Sequence, residues 1–178
     1  MNFEETIHPL TKYLVENNFF VKNKFLHFIE YAKDSATITV AYDNREYLFY
    51  THVGQNSKSL VELTPVAIKM VFNDDSFQFQ STLTIDNLIS FLSGSGKLII
   101  LGTKDIFEKL TDFSKKQSGE YTKQIIYLQN IKGADEAWAQ KHYSDFIKCI
   151  DRIDKDLLSN SYLKKYKIAL DKLRQKTE

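Results

Sequence analysis

The sequence predicts an α+β protein: an antiparallel β meander packed with helices, followed by an all-helical C-terminal third. Three observations carry this. Residues 25–53 are rich in β-branched and aromatic side chains, with period-two alternation clearest in the middle of the stretch. On either side of that stretch apolar residues recur at helical spacing instead. From Tyr121 onward there is no proline and Gly133 is the only glycine, so little stops one helix from following another.

Ile7, Leu10 and Leu14, with Tyr13 beside them, predict a first helix over 6–18. Pro9 fits its first turn, where a missing N–H costs nothing, and Asn17-Asn18 ends it. Three strands follow over 25–32, 36–43 and 46–53, with Asp34-Ser35 and Asp43-Asn44-Arg45 as turns. In the second strand Ile38, Val40 and Tyr42 point one way and Thr37, Thr39 and Asp43 the other. One sheet face is therefore expected to be buried and one partly wet. Residues 54–57 read as a loop, and 59–63 as a possible fourth strand.

Thr64-Pro65 reads as an N-cap followed by proline at N1, opening a short helix to Phe72. Val66, Ile68, Met70 and Phe72 also alternate, which leaves a strand as the competing reading. Thr84 caps a helix with the stripe Ile85, Leu88, Ile89 and Leu92, ended by Ser93-Gly94-Ser95-Gly96. Leu98 to Leu101 is expected as a buried strand or apolar turn, and Ile106, Phe107, Leu110 and Phe113 as a helical stripe. Lys115-Lys116-Gln117-Ser118-Gly119 is expected to be a linker dividing a 1–118 domain from a 119–178 helical region. Gly133 and Lys141-His142 are expected to interrupt that region. Ile147, Ile150, Ile153 and Leu157 form a further stripe, and Ser161 is expected to cap the last helix.

The 178 residues suit one domain or two small ones. Charge is nearly balanced, 24 basic against 23 acidic, with only three arginines. Residues 1–120 hold 12 basic and 15 acidic side chains, and 121–178 hold 12 and 8. A protein built to neutralise nucleic-acid phosphates shows a clear basic excess, so nucleic acid is not the expected partner. Abundant Lys, Asn, Ile, Phe and Tyr, all with AT-rich codons, fit a low-GC bacterial genome. Cys149 is alone, so no intramolecular disulfide forms. The acidic start Met1-Asn2-Phe3-Glu4-Glu5 lacks the basic and apolar regions of a secretory signal, and no apolar run is long enough to span a bilayer. The cytoplasm is the expected location, with no membrane partner.

Residues 134–143 (Ala134 to Tyr143, with Ala137 and Trp138), continuing through Phe146 and Ile150, resemble a tetratricopeptide-type helical hairpin over about 134–157. In such repeats a helix with small residues reaches a tight turn, and an aromatic just after it opens the second helix. Tyr143 holds that aromatic position. Lys141 and His142 stand where the family usually has glycine, and Phe146 where it usually has alanine. A single unit cannot stack as an array does. The resemblance implies helical hairpins packed side by side and carries over no ligand-binding residues.

Catalytic constellations are absent. Ser93-Gly94-Ser95-Gly96-Lys97 lacks the glycine spacing and the hydroxyl of a phosphate loop. Gly102-Thr103-Lys104-Asp105 offers only the N–H groups of any helix start. His8, His27, His52 and His142 match no zinc pattern, although His27 and His52 are expected to approach across the meander. Asp74 and Asp75 read as turn residues, and Asp151, Asp154 and Asp156 as a solvated face. Cys149 has apolar neighbours and reads as a packing residue. No catalytic residue, metal or cofactor is assigned. Ten tyrosines, 13 phenylalanines and one tryptophan are expected mostly in the core, but so many tyrosine hydroxyls need partners if buried, which leaves an interface formed by some of them as the alternative. Trp138, Tyr143, Tyr162 and Tyr166 are the candidate interface residues. The expectation is a non-enzymatic protein-binding module, such as an immunity-type inhibitor of a toxin. The competing readings are an enzyme or small-ligand protein whose His27, His52, Asp74 and Asp75 meet only in three dimensions, and a nucleic-acid binder acting through the Lys-rich last helix.

Overall fold

The computed structural model describes residues 2–78, 80 and 82–175. Two compact units divide the chain, Met1–Lys116 and Gln117–Glu178.

The first unit opens with α1 (Phe3–Glu16), which begins earlier than the apolar spacing predicts. Asn2 is the reason: its side-chain oxygen accepts the Glu4 N–H at 3.2 Å, and Glu4 and Glu5 suit a helix N-terminus. Pro9 therefore lies inside the helix, where it removes the N–H that would bond the Glu5 carbonyl. Phe3, Ile7, Leu10 and Leu14 are buried.

Five strands form one antiparallel sheet in sequence order: β1 (Phe20–Phe25), β2 (Phe28–Lys33), β3 (Ala36–Asp43), β4 (Leu48–Gly54) and β5 (Val61–Glu62). The expected strand over 25–32 is in fact the end of β1, a two-residue turn at Leu26-His27, and β2. On the inner face Ile29 lies opposite Val40 and Tyr31 opposite Ile38. These residues pack into one core with α1, α2 (Pro65–Phe72), α3 (Ile85–Ser93) and the short α4 (Lys97–Ile100). Tyr31 is fully buried, its hydroxyl pairs with Thr11 at 2.6 Å, and burial pushes it up to about 12.

Thr64 caps α2 by accepting the Ala67 N–H, so cap chemistry prevails over alternation at this segment. Thr84 does the same for α3 through Asn87. Residues 97–100 form a helical turn, not a strand: the adjacent pair Ile99 and Ile100 is buried while Leu98 and Leu101 are exposed, a helical and not an alternating pattern.

The long helix α5 (Lys104–Ala139) passes through 115–119, so the expected linker is helical. Lysine and glutamine are good helix formers, and one exposed glycine costs only about 1 kcal/mol. Gly133 does not interrupt the helix either. A Cβ there would lie 3.1 Å from the Cys149 sulfur, so the glycine serves close helix packing.

In the second unit the last part of α5 turns at 140–142 into α6 (Tyr143–Ile150). Lys141 takes φ 58°, the left-handed turn for which glycine is the usual residue. A single 3-10 turn (Lys155–Leu157) precedes α7 (Asn160–Arg174), whose N-cap is Ser159 and not Ser161. The core joins Ala134 and Ala137 of α5 to Phe146, Ile150, Ile153, Leu158 and Ala169. Gly133 of α5 approaches Cys149 of α6, and α6 packs against α7.

Candidate functional site

The outer face of the sheet has two halves. One row runs Asn23, Glu30, Thr39, His52 and Glu62 across all five strands. Glu30 is only 5% exposed, although it lies on the face opposite the core. Asn23 Nδ2 donates to it at 2.6 Å, Ser57 Oγ at 2.6 Å and Lys22 Nζ at 3.0 Å. Ser57 also accepts from Lys22 at 2.6 Å. These bonds, that from Ser57 foremost, hold the carboxyl below its ordinary range, against the opposing effect of burial. Through Ser57 the network draws the 55–60 segment over the sheet. Close approach continues at Gly54, where a Cβ would collide with the Ser59 carbonyl. Thr37 and Thr39 are buried on this half.

The other half stays open. Phe25 and Phe28 flank the β1–β2 turn and their rings lie 5.9 Å apart. Their row continues to Ala41 and Tyr50. Tyr50 donates to Glu46 at 2.6 Å, and that bond pushes its hydroxyl up to about 12. At the tip Leu26 is 80% exposed and Phe25 is 66%, while Phe20, 57% exposed, stands at the far end of β1 opposite Ala32. Val21, on the same strand, is exposed as well. Every residue of β1 is exposed, and β1 is an outer strand of the sheet.

Beside β1 lies a groove shared with α1. Its two adjoining cavities measure about 510 Å³ and about 590 Å³ and have Asn2, Glu4 and Lys24 in common. Ile7, Val21 and Ile29 floor the first, and Phe3, Phe25 and His27 line the second. Lys24 pairs with Glu4 at 2.7 Å, which lowers the Glu4 carboxyl.

The histidines do not meet. His27 packs edge-on to Phe3 and Tyr42 on the core face, with centroids 6.2 Å and 6.1 Å away. Asn44 lies 2.6 Å from its Nε2, while its Nδ1 is enclosed without a hydrogen-bond partner among the described residues. His52 lies opposite Thr39, on the other face. The strand register thus corrects the expected approach of the two rings. His8 lines the α1–β1 groove, and His142 precedes α6 without capping it. Asp74 accepts from Ser95 at 2.5 Å and from the Ser76 N–H, and Asp75 pairs with Lys69. Hydrogen bonds from Ser76 and Ser95 hold Asp74 low. Neither aspartate contacts a histidine among the described residues, and no group of three potential metal ligands occurs among them.

Trp138, Tyr143, Tyr162 and Tyr166 all pack, half-buried, around the helical core of the second unit. Trp138 meets Tyr143 at 5.7 Å, and Lys165 lies over both Trp138 and Tyr162. Tyr162 donates to Asp135 at 2.8 Å and Tyr166 to Asp151 at 2.6 Å. Burial, with Asp135, pushes Tyr162 up to about 12, and Asp151 raises Tyr166.

Phe25 and Phe28 are hidden in the sequence because Phe25–Ile29 reads as one continuous strand. Leu26-His27 contains no glycine, proline, asparagine or aspartate, so the hairpin turn carries no ordinary signal. No family model matches the chain, and no curated protein or solved structure shows significant similarity to it. Among the described residues no helix is long and apolar enough to cross a membrane.

Proposed function

We propose that this chain is a non-enzymatic protein-binding module that engages its partner through the β1–β2 hairpin. One observation carries the reading: Phe25 and Leu26 are exposed together at the β1–β2 turn, with the Phe28 ring beside Phe25, on an outer strand of the sheet. Single exposed apolar residues are ordinary, but a contiguous group marks an interaction surface. Aromatic side chains also dominate binding energy where they become buried between proteins. The concrete form is an immunity-type inhibitor in a bacterial cytoplasm, a proposal that the partner's identity decides.

The test is affinity capture with the tagged wild-type chain and with Phe25→Asp, both checked for the same circular dichroism. A stoichiometric protein partner retained by wild type and lost by the variant supports the reading. A partner retained equally by both, or none at all, contradicts it.

A further inference from the structure

We infer that the groove between α1 and β1 takes an extended, basic segment of a partner protein, added to the sheet as a sixth strand. The inference rests on the hairpin reading above and states how the partner is held.

An edge strand carries a row of outward backbone N–H and C=O groups without a ladder partner. Proteins commonly guard such edges with lysines projecting past them. β1 has two lysines, and neither guards it. Lys22 folds back over the outer face to Glu30 and Ser57. Lys24 folds toward α1 and pairs with Glu4. The edge is left bare along a six-residue strand, interrupted only by a register shift between Val21 and Asn23.

The groove has room for the side chains of an added strand. Successive residues of a strand point to opposite faces. One set would enter the cavities along α1, over Ile7, Val21 and Ile29. The other would meet Phe20 and Phe25 on the outer face. Strand addition uses this division of labour, with backbone bonds giving affinity and alternate side chains giving selectivity.

Charge selects the occupant. Glu4 is neutralised by Lys24, but Glu5 lines the same groove without an ion-pair partner among the described residues. The unit Met1–Lys116 has 12 basic against 14 acidic residues, so its field also favours a cationic segment. A second copy of β1 does not supply that charge, because both of its lysines are already paired within its own unit.

The probes are three eight-residue peptides added to the full chain. One alternates valine and lysine, one is the same peptide N-methylated at alternate amides, and one alternates valine and glutamate. Amide chemical shifts and hydrogen exchange are read at Phe20–Phe25. The valine–lysine peptide should shift and protect these amides. The N-methylated form should not, because it cannot complete the ladder. The valine–glutamate form should bind about fivefold more weakly, and Glu5→Lys should remove that preference, as expected at the upper end for one exposed ion pair.

Equal binding of the N-methylated peptide, preference for the glutamate peptide, or no response in β1 overturns the inference. Concentration-dependent protection of β1 by self-association overturns it too, since a second copy would then own the edge. If capture depends on Phe25 while the peptides leave β1 unchanged, strand addition alone fails. If capture is indifferent to Phe25→Asp, the hairpin reading fails with it.

Discussion

Ser57 and Glu30, 27 residues apart in sequence, are joined by a 2.6 Å hydrogen bond on the face of the sheet opposite the core. The bond is what makes the two halves of that face different. Where Ser57 reaches Glu30 the sheet is covered, and where the network ends, at Phe25 and Phe28, it is open.

That relationship predicts a pH signature. A carboxylate held below its ordinary value stabilises the fold fully above that value, 4.5, and loses the contribution as pH falls through its lowered folded value. Glu30→Gln should cost about 1–3 kcal/mol at neutral pH, the scale of buried charged hydrogen bonds. The difference from wild type should shrink below about pH 4. Urea unfolding of both proteins from pH 3 to 7 measures it. A gap independent of pH would assign the loss to packing instead of charge.

Two glycines of α5 should respond differently. Gly119 has nothing within 4 Å of where a Cβ would sit. Gly119→Ala should therefore stabilise by about 1 kcal/mol, the intrinsic difference in helix propensity. At Gly133 a Cβ would press on Cys149 at 3.1 Å, so Gly133→Ala should gain less, and Gly133→Val should destabilise the second unit outright. Thermal unfolding of the three variants gives the comparison.

Alkaline titration should find late tyrosines. Tyr31, Tyr50 and Tyr162 are each pushed up to about 12, the first by burial, the second by Glu46 and the third by burial with Asp135. A phenol raised in the folded state stabilises below its ordinary value of 10 and loses that contribution as pH rises through the folded value. Phenolate absorbance should rise in two stages, and Tyr162→Phe should diminish the later one. An unchanged later stage would contradict the Tyr162–Asp135 bond.

The sequence was most readable where local chemistry and burial agree. Thr64-Pro65 and Thr84 announce α2 and α3 because a cap is a local device, and Ile38, Val40 and Tyr42 announce the buried face of β3. It was least readable where packing overrides local preference. Lys141 takes a left-handed turn that its residue type does not signal, and Gly133 marks a helix contact where a break is the ordinary reading. The hairpin surface was illegible for a related reason. Phe25 and Phe28 look like neighbours on one strand until Leu26-His27 is known to reverse the chain. Trp138, Tyr143, Tyr162 and Tyr166 stand out in the sequence, yet their neighbours are the core residues of their own unit and the carboxylates of Asp135 and Asp151.

The most direct test places a photo-crosslinking phenylalanine analogue at position 25 in one protein and at position 138 in another, each irradiated with the captured partner. A crosslink from position 25 and none from position 138 is the predicted result. A crosslink from position 138 alone would move the interface to the helical unit and contradict the hairpin as the binding surface.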